Sequence, residues 1–316
     1  MTYESCTISN QPEGMSMTTT NNDSPNRKVV CPLCQSSDNA HFLTCPSGDR
    51  DKGDKRTYEF VRCSRCSHVF ASFSATDPKD IETYKEDYYH KSEETSTLNS
   101  WILRNKCKRW LRISKAKSIL DVGCGDGVFI QLMSDMGVKA AGTDLSEFAG
   151  NKIVDKSIPV YRSIEEAKTG RPEGYDLIVI NHVLEHMPDP RMVIDQCRDM
   201  LTPSGCLVLA VPDLSSYQTR LAGPMWYGYD PPRHLHCFSS TRLEQLLQES
   251  KFEVKGNWKP IMEFLLVFPK NTLEHWRGDQ ERRIPGWAMI LLALPLNAAK
   301  LMGPFRGSVE MLARKV

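Results

Sequence analysis

From Ser118 onward, short unbroken apolar runs alternate with segments whose apolar positions recur every three or four residues. Ser118–Val122 predicts a buried strand, and Lys139–Thr143, Tyr175–Asn181 and Cys206–Val211 predict further strands. Gly127–Met136 and Pro190–Leu201 predict helices between them. Strands that alternate with helical segments must be joined by crossovers, which makes this an α/β protein with a parallel sheet. A helix over Thr241–Ser250 runs into a strand over Phe252–Lys259, and a short strand over Ser308–Arg314 follows at the end. Between them lie two apolar helical stretches, Pro260–Trp276 and Pro285–Met302, separated by the polar Arg277–Arg283. Upstream of the alternating region, residues 1–28 show no periodicity and read as a disordered tail. Residues 78–117 read as polar, aromatic-dotted helices that include Trp101–Trp110.

Composition narrows the picture. With 40 basic against 39 acidic residues, the net charge of +1 argues against a nucleic-acid binder driven by bulk positive charge. The 40% hydrophobic content is enough to fill a core. The longest apolar run, Trp287–Leu296, is about half of what a spanning helix needs. Eleven cysteines without an apolar leader fit reduced, partly metal-bound thiols in a cytoplasmic protein better than a disulfide framework.

Cys31-Pro-Leu-Cys34 and Cys63-Ser-Arg-Cys66 have the spacing at which one tight turn aims two sulfurs at the same ion. The segment between them reads as a strand (His41–Thr44), a polar tip (Ser47–Arg56) and a returning strand (Thr57–Val61). A unit this small has no core of its own, so bound zinc would supply about 10 kcal/mol or more of folding energy. Four thiolates close the shell, making the zinc structural; Cys45 and His68 stand nearby but are left out of the ligand set.

Ile119-Leu-Asp-Val-Gly-Cys-Gly-Asp-Gly127 joins a strand to a helix through a turn that can bring backbone N–H groups close to a ligand. No phosphate-binding lysine follows, so it is not a P-loop. About twenty residues on, Asp144 in Gly142-Thr-Asp144-Leu145 ends the next strand, where a carboxylate can hold a ribose diol. These residues resemble those of the class I S-adenosylmethionine-dependent methyltransferases. The likeness continues through Tyr175-Asp-Leu-Ile-Val-Ile-Asn181, Val183-Leu-Glu-His-Met-Pro-Asp-Pro190 and Met200-Leu-Thr-Pro-Ser-Gly205. The N-terminal ribbon is similar to that of bacterial members acting on sugars and other small metabolites. The resemblance implies a Rossmann-like sheet of seven mostly parallel strands, the last antiparallel, and S-adenosylmethionine as cofactor. It implies that Asp121 and the Gly123–Cys124–Gly125 backbone hold the methionine end, and that Asp144 with Leu145 holds the ribose. Ser163 and Ile164 would lie against adenine, and Asn181 beside the sulfonium.

His182-Val-Leu-Glu185-His186 also spells the signature of inverted zinc proteases. It meets Pro188 at once, so the long helix that signature needs cannot form. Ubiquinone-type O-methyltransferases carry a related segment, in which Glu185 and His186 match metal-associated residues and His182 replaces a glutamate. The loop Leu221–Phe238, with four aromatics, an arginine and two histidines, follows the strand ending at Val211 and is assigned to the acceptor. His234 is the first candidate for the base and His186 the second, with Glu185 grouped with them as catalytic. The resulting plan is a tail (1–28), a zinc ribbon (29–76), a helical connector or lid (77–117) and the cofactor-binding domain (118–259 and 307–316), interrupted by an apolar helical hairpin insertion (260–306). The expected activity is methyl transfer to a small or lipid-linked acceptor, with oxygen favoured. A sugar C-methyltransferase and a non-catalytic module docking protein or RNA through the ribbon are the alternatives. The hairpin is a pocket lid, a homodimer contact or a peripheral membrane contact through residues 260–303.

Overall fold

The computed structural model describes residues 29–48, 54–73, 97–146, 148–258 and 307–316. The expectations for the tail, the middle of the ribbon tip, the connector before residue 97 and the hairpin at 260–306 lie outside those residues. The strands are β1 (Asn39–Pro46), β2 (Thr57–Cys63), β3 (Val69–Ala71), β4 (Ser118–Val122), β5 (Lys139–Thr143), β6 (Val160–Tyr161), β7 (Tyr175–Asn181), β8 (Leu201–Pro212), β9 (His236–Cys237), β10 (Phe252–Trp258) and β11 (Ser308–Lys315). The helices are α1 (Thr97–Ser114), α2 (Val128–Asp135), α3 (Ile164–Gly170), α4 (Pro190–Met200), α5 (Tyr217–Ala222) and α6 (Ser240–Glu249).

The large sheet has seven strands in the order β10-β11-β8-β7-β4-β5-β6. Strands β4 to β8 pair in parallel, whereas β11 is antiparallel to both of its neighbours. The apolar runs become its middle: every residue from Leu177 to Ile180 and from Leu207 to Val211 is fully buried. After β6 the chain crosses back to lay β7 on the other side of β4. The carboxyl ends of β4, β5 and β7 therefore open at a topological switch point, where such sheets bind ligands.

Helix boundaries follow local chemistry. Asp189 caps α4 by accepting the Met192 N–H, with Pro190 in the first turn. The helix ends one residue before the expected limit because Leu201 is extended and Pro203 forbids continuation. Leu201 instead starts β8, which is longer at both ends than the predicted strand.

The cysteine-bearing segment is not an independent ribbon. Its sheet has the order β1-β2-β3-β9, and the fourth strand comes from the acceptor loop, with Val69 opposite Cys237 and Phe70 opposite His236. Cys31, Leu33, Val61, Cys63 and Phe70 pack in one core with Leu209, Val211, Phe238 and Leu243.

Glu310 of β11, fully buried, is held by three groups of α1. Lys106 Nζ lies 3.1 Å away, the Arg109 guanidinium pairs with the carboxylate, and Trp110 Nε1 donates to it at 2.8 Å. Removing one partner of a buried ion cluster strands the others, at a cost of about 3–5 kcal/mol. Glu310→Ala should therefore lower the unfolding free energy by that amount, read as a lower urea midpoint with an unchanged m-value, and an unaltered midpoint would show that the cluster does not fasten α1 to the sheet.

Candidate active site

The glycine turn depends on positive φ: Gly123 has φ +75° and Gly127 φ +84°. A Cβ on Gly123 would stand 2.5 Å from a Val183 methyl, so the turn packs directly on the segment leading to Glu185 and His186. The Gly123 and Cys124 N–H groups both donate to the Thr143 carbonyl, at 2.8 and 2.9 Å. Asp144 comes next: its Oδ2 accepts the Gly125 N–H at 2.9 Å and its Oδ1 the Ser146 N–H at 2.9 Å. Cys124 turns its thiol toward Gly142 and into the protein, where burial raises its pKa, so it faces the cleft with its backbone alone. Asp121 is buried at the end of β4; burial first, then the Asp144 charge, pushes its pKa up to about 8, with Lys106 opposing.

The other expected cofactor residues divide. Leu145, beside Asp144, is 85% exposed and available to a ligand. Ser163 is committed to capping α3, its hydroxyl accepting the Glu166 N–H at 3.2 Å, while Ile164 leans on the core. Asn181 ends β7 and accepts a hydrogen bond from Lys106 Nζ at 3.0 Å. Lys106 went unnoticed in the sequence reading, as did its partner Glu310. A glutamate inside the apolar run Ser308-Val-Glu-Met-Leu312 was the available signal, because a buried acid demands a cation.

His182 takes a left-handed backbone (φ +56°) with its N–H bonded to the Ala210 carbonyl at 2.8 Å. A single 3₁₀ turn, Leu184–His186, follows, as Pro188 requires. Glu185 is 1% exposed, and neither of its carboxylate oxygens accepts a hydrogen bond among the described residues; His182 Nδ1 stands 3.4 Å from Oε1. Burial alone would raise the Glu185 pKa, but the surrounding histidines outweigh it and hold it low. His186 Nδ1 faces the Arg233 carbonyl at 3.0 Å, and His234 Nδ1 faces the Gly228 carbonyl at 2.9 Å. A carbonyl only accepts, so both Nδ1 atoms carry a proton. Burial, with the neighbouring His234, lowers the His186 pKa to about 4. The rings meet edge to face with centroids 4.6 Å apart. One ligand atom from each of Glu185, His186 and His234 lies within 4.8 Å of the others, a donor set that fits a divalent cation.

The acceptor loop differs from expectation. Trp226 and Tyr229 do not line an open crevice; they are buried against the ribbon, Tyr229 with its ring 5.6 Å from Phe60. In the ribbon, Cys31, Cys34, Cys63 and Cys66 place their sulfurs within 4.8 Å of one another. Both knuckles close the same way: the Gln35 N–H bonds the Cys31 carbonyl, the Ser67 N–H bonds the Cys63 carbonyl, and each closing residue has φ +59°. Cys45 and His68 fall outside the group.

Residues 95–255 match the family described as "Methyltransferase domain". The chain belongs to this family. Among curated methyltransferases, the "Ubiquinone biosynthesis O-methyltransferase" of Bordetella bronchiseptica is 29% identical over 137 residues, covering 39% of this chain and 55% of that protein. The enzyme of the same description from Thiobacillus denitrificans is 26% identical over 155 residues, covering 44% and 66%. The chain thus spans between about half and two thirds of these relatives' lengths. Among solved structures, an S-adenosylmethionine-dependent methyltransferase from Archaeoglobus fulgidus superposes with a TM-score of 0.48 at 17% identity, over 73% of this chain and 100% of that one.

Because Asp121 is neutral below about pH 8 in the free methyltransferase, a ligand amine seated against it must bind with loss of a proton. Affinity for S-adenosylmethionine should therefore rise about tenfold per unit from pH 5.5 to 7.5. Calorimetry on Asp121→Asn should show weaker binding without that slope. An equal slope in the variant would remove Asp121 from the amine site.

Proposed function

We propose that this methyltransferase moves the methyl group of S-adenosylmethionine to a hydroxyl oxygen of a small or lipid-linked acceptor. The observation that carries the reading is the contact of Val183 with Gly123, which joins the glycine turn to the Glu185–His186–His234 cluster at one sheet edge. The cofactor's amine is assigned to Asp121, and its methionyl carboxylate to the Gly123–Gly125 backbone. The ribose is assigned to Asp144, the adenine to the side of Leu145 and Ile164, and the sulfonium to Asn181. Asp144 accepts one N–H on each oxygen, from Gly125 and Ser146, and each oxygen keeps a lone pair for a ribose hydroxyl. The methyl carbon passes in line from sulfur to the acceptor oxygen; the C–S bond electrons stay on a neutral thioether, and the acceptor's proton goes to a base. His234 is that base: its Nδ1 proton is held by the Gly228 carbonyl, leaving Nε2, 4.0 Å from the Asp230 carboxylate, to take the acceptor's proton. The two curated relatives, both described as O-methyltransferases, support oxygen as the acceptor atom. The four cysteines are assigned to a structural zinc, and residues 260–303 to contact with a lipid-linked acceptor's membrane.

A second reading of the same cluster is favoured by the buried Glu185 carboxylate, whose oxygens accept no hydrogen bond among the described residues. Glu185, His186 and His234 would hold a divalent cation that supplies Lewis acidity at the acceptor oxygen. His234 would then be a ligand with no lone pair left for the proton.

Methyl label from S-adenosylmethionine should enter the metabolite fraction of a strain lacking the protein, and mass spectrometry of that strain should show a species lighter by one methyl group. His234→Ala should reduce incorporation by about 10²-fold or more with cofactor affinity intact; full incorporation would remove His234 from the chemistry. Chelation that spares the ribbon's ion separates the two readings. Undiminished transfer identifies the free base, whereas loss restored by Mg²⁺ or Mn²⁺ identifies the cation site. Metal analysis should find one zinc per chain, lost in Cys63→Ser.

A further inference from the structure

His68 and His236, 168 positions apart, meet in the interior with His68 Nε2 3.0 Å from His236 Nδ1. His68 is 1% exposed and His236 3%. The ring of Phe70 stacks 5.9 Å from His68, and Phe238 tilts 5.0 Å away on another side. The proton order in the pair follows from its far end. His236 Nε2 faces the Met187 carbonyl at 2.9 Å, so it carries the hydrogen and Nδ1 the lone pair. His68 Nε2–H is therefore the donor, and His68 Nδ1 is left without a partner among the described residues.

We propose that His236 is a positioning residue for His234, and that its bond to His68 transfers the geometry of the four-cysteine ribbon to the acceptor side of the active site. The inference rests on the reading of His234 as an acceptor-side group. The His68 carbonyl accepts the Cys63 N–H at 2.9 Å, which makes His68 part of the second knuckle's closure. On the other side, β9 is only His236–Cys237, two residues pairing with β3. A ladder that short specifies its register weakly, and a slip of one residue would swap the faces of every side chain on it. The His68–His236 bond forbids that slip, because only residue 236 then offers a lone pair to His68. Neighbouring bonds hold the same stretch: the Ala71 N–H reaches the Leu235 carbonyl at 2.9 Å, and the Leu235 N–H reaches the Glu185 carbonyl at 2.8 Å. A buried polar pair among aromatic rings adds little packing that an apolar pair would lack, and its distinctive contribution is a unique arrangement. The residue whose place it sets is His234, two positions from His236 and directly before Leu235.

The test uses the zinc-loaded full chain labelled with ¹⁵N-histidine, read by long-range ¹H–¹⁵N spectra that report each imidazole's tautomer. In the wild type, His236 should be protonated on Nε2 and His234 on Nδ1. His68→Phe keeps the ring and removes the donor; the His236 tautomer should become mixed and the His234 resonances should move. His68→Gln offers an amide N–H to the same lone pair and should return them. Methyl incorporation should fall about tenfold to a hundredfold in His68→Phe and recover in His68→Gln, with cofactor affinity in both within about twofold. An unmoved His234 signal in His68→Phe overturns the proposal, and so does a failure of His68→Gln to restore it. If His68→Phe loses its zinc or its fold, His236→Leu against His236→Gln makes the same comparison. Failure of the wild type to bind S-adenosylmethionine would overturn the methyltransferase reading alone, leaving the spectra to judge the coupling.

Discussion

The Thr143 carbonyl accepts two N–H groups, from Gly123 and Cys124, and through them pins the turn after β4 to the end of β5. Parallel pairing of Val122 with Thr143 sets the two strand ends level, so the next residue, Asp144, arrives beside the Gly125 N–H. The left-handed glycine at 123 lets the same turn touch Val183. Backbone donors, two acids and the segment that carries Glu185 and His186 are thus gathered by one short register between neighbouring strands.

The charge pattern of this edge is tense in the absence of ligand. Burial first, then the Asp144 charge, raises the cost of ionising Asp121, and Lys106 offsets part of it. Lys106 is itself shared between Asn181 and Glu310, so the cation that moderates Asp121 is fixed by a glutamate in β11. The site is therefore prepared electrostatically from both the glycine side and the α1 side.

Most of the α/β architecture was legible because it rests on local signals. Unbroken apolar runs became central strands, and Asp189 with Pro190 marked a helix start where one was found. The cysteine spacing likewise announced four converging sulfurs. What escaped was non-local. Nothing near His236 says that it will become the fourth strand of a sheet begun at Asn39, since two residues carry no periodicity. The aromatics of the acceptor loop looked like a ligand surface because composition does not distinguish a ring facing a cleft from one facing another domain's sheet. Lys106 could be placed only once its distant partner, Glu310, was known to be buried. The division into ribbon and catalytic domain reads cleanly along the chain, yet the two share a core in space.

β11 is the last strand of the sheet in chain order, but it lies inside the sheet, between β8 and β10. A ribosome therefore delivers the outer neighbour before the strand that belongs within. Until β11 emerges, β8 has an open edge along the run from Cys206 to Pro212 that will later be paired. Nascent chains with such an edge are exposed to pairing with one another, and closure comes only through contacts distant in sequence. Glu310 sits on that final strand, so Lys106, the cation that moderates Asp121, takes its buried carboxylate partner from the strand synthesised last.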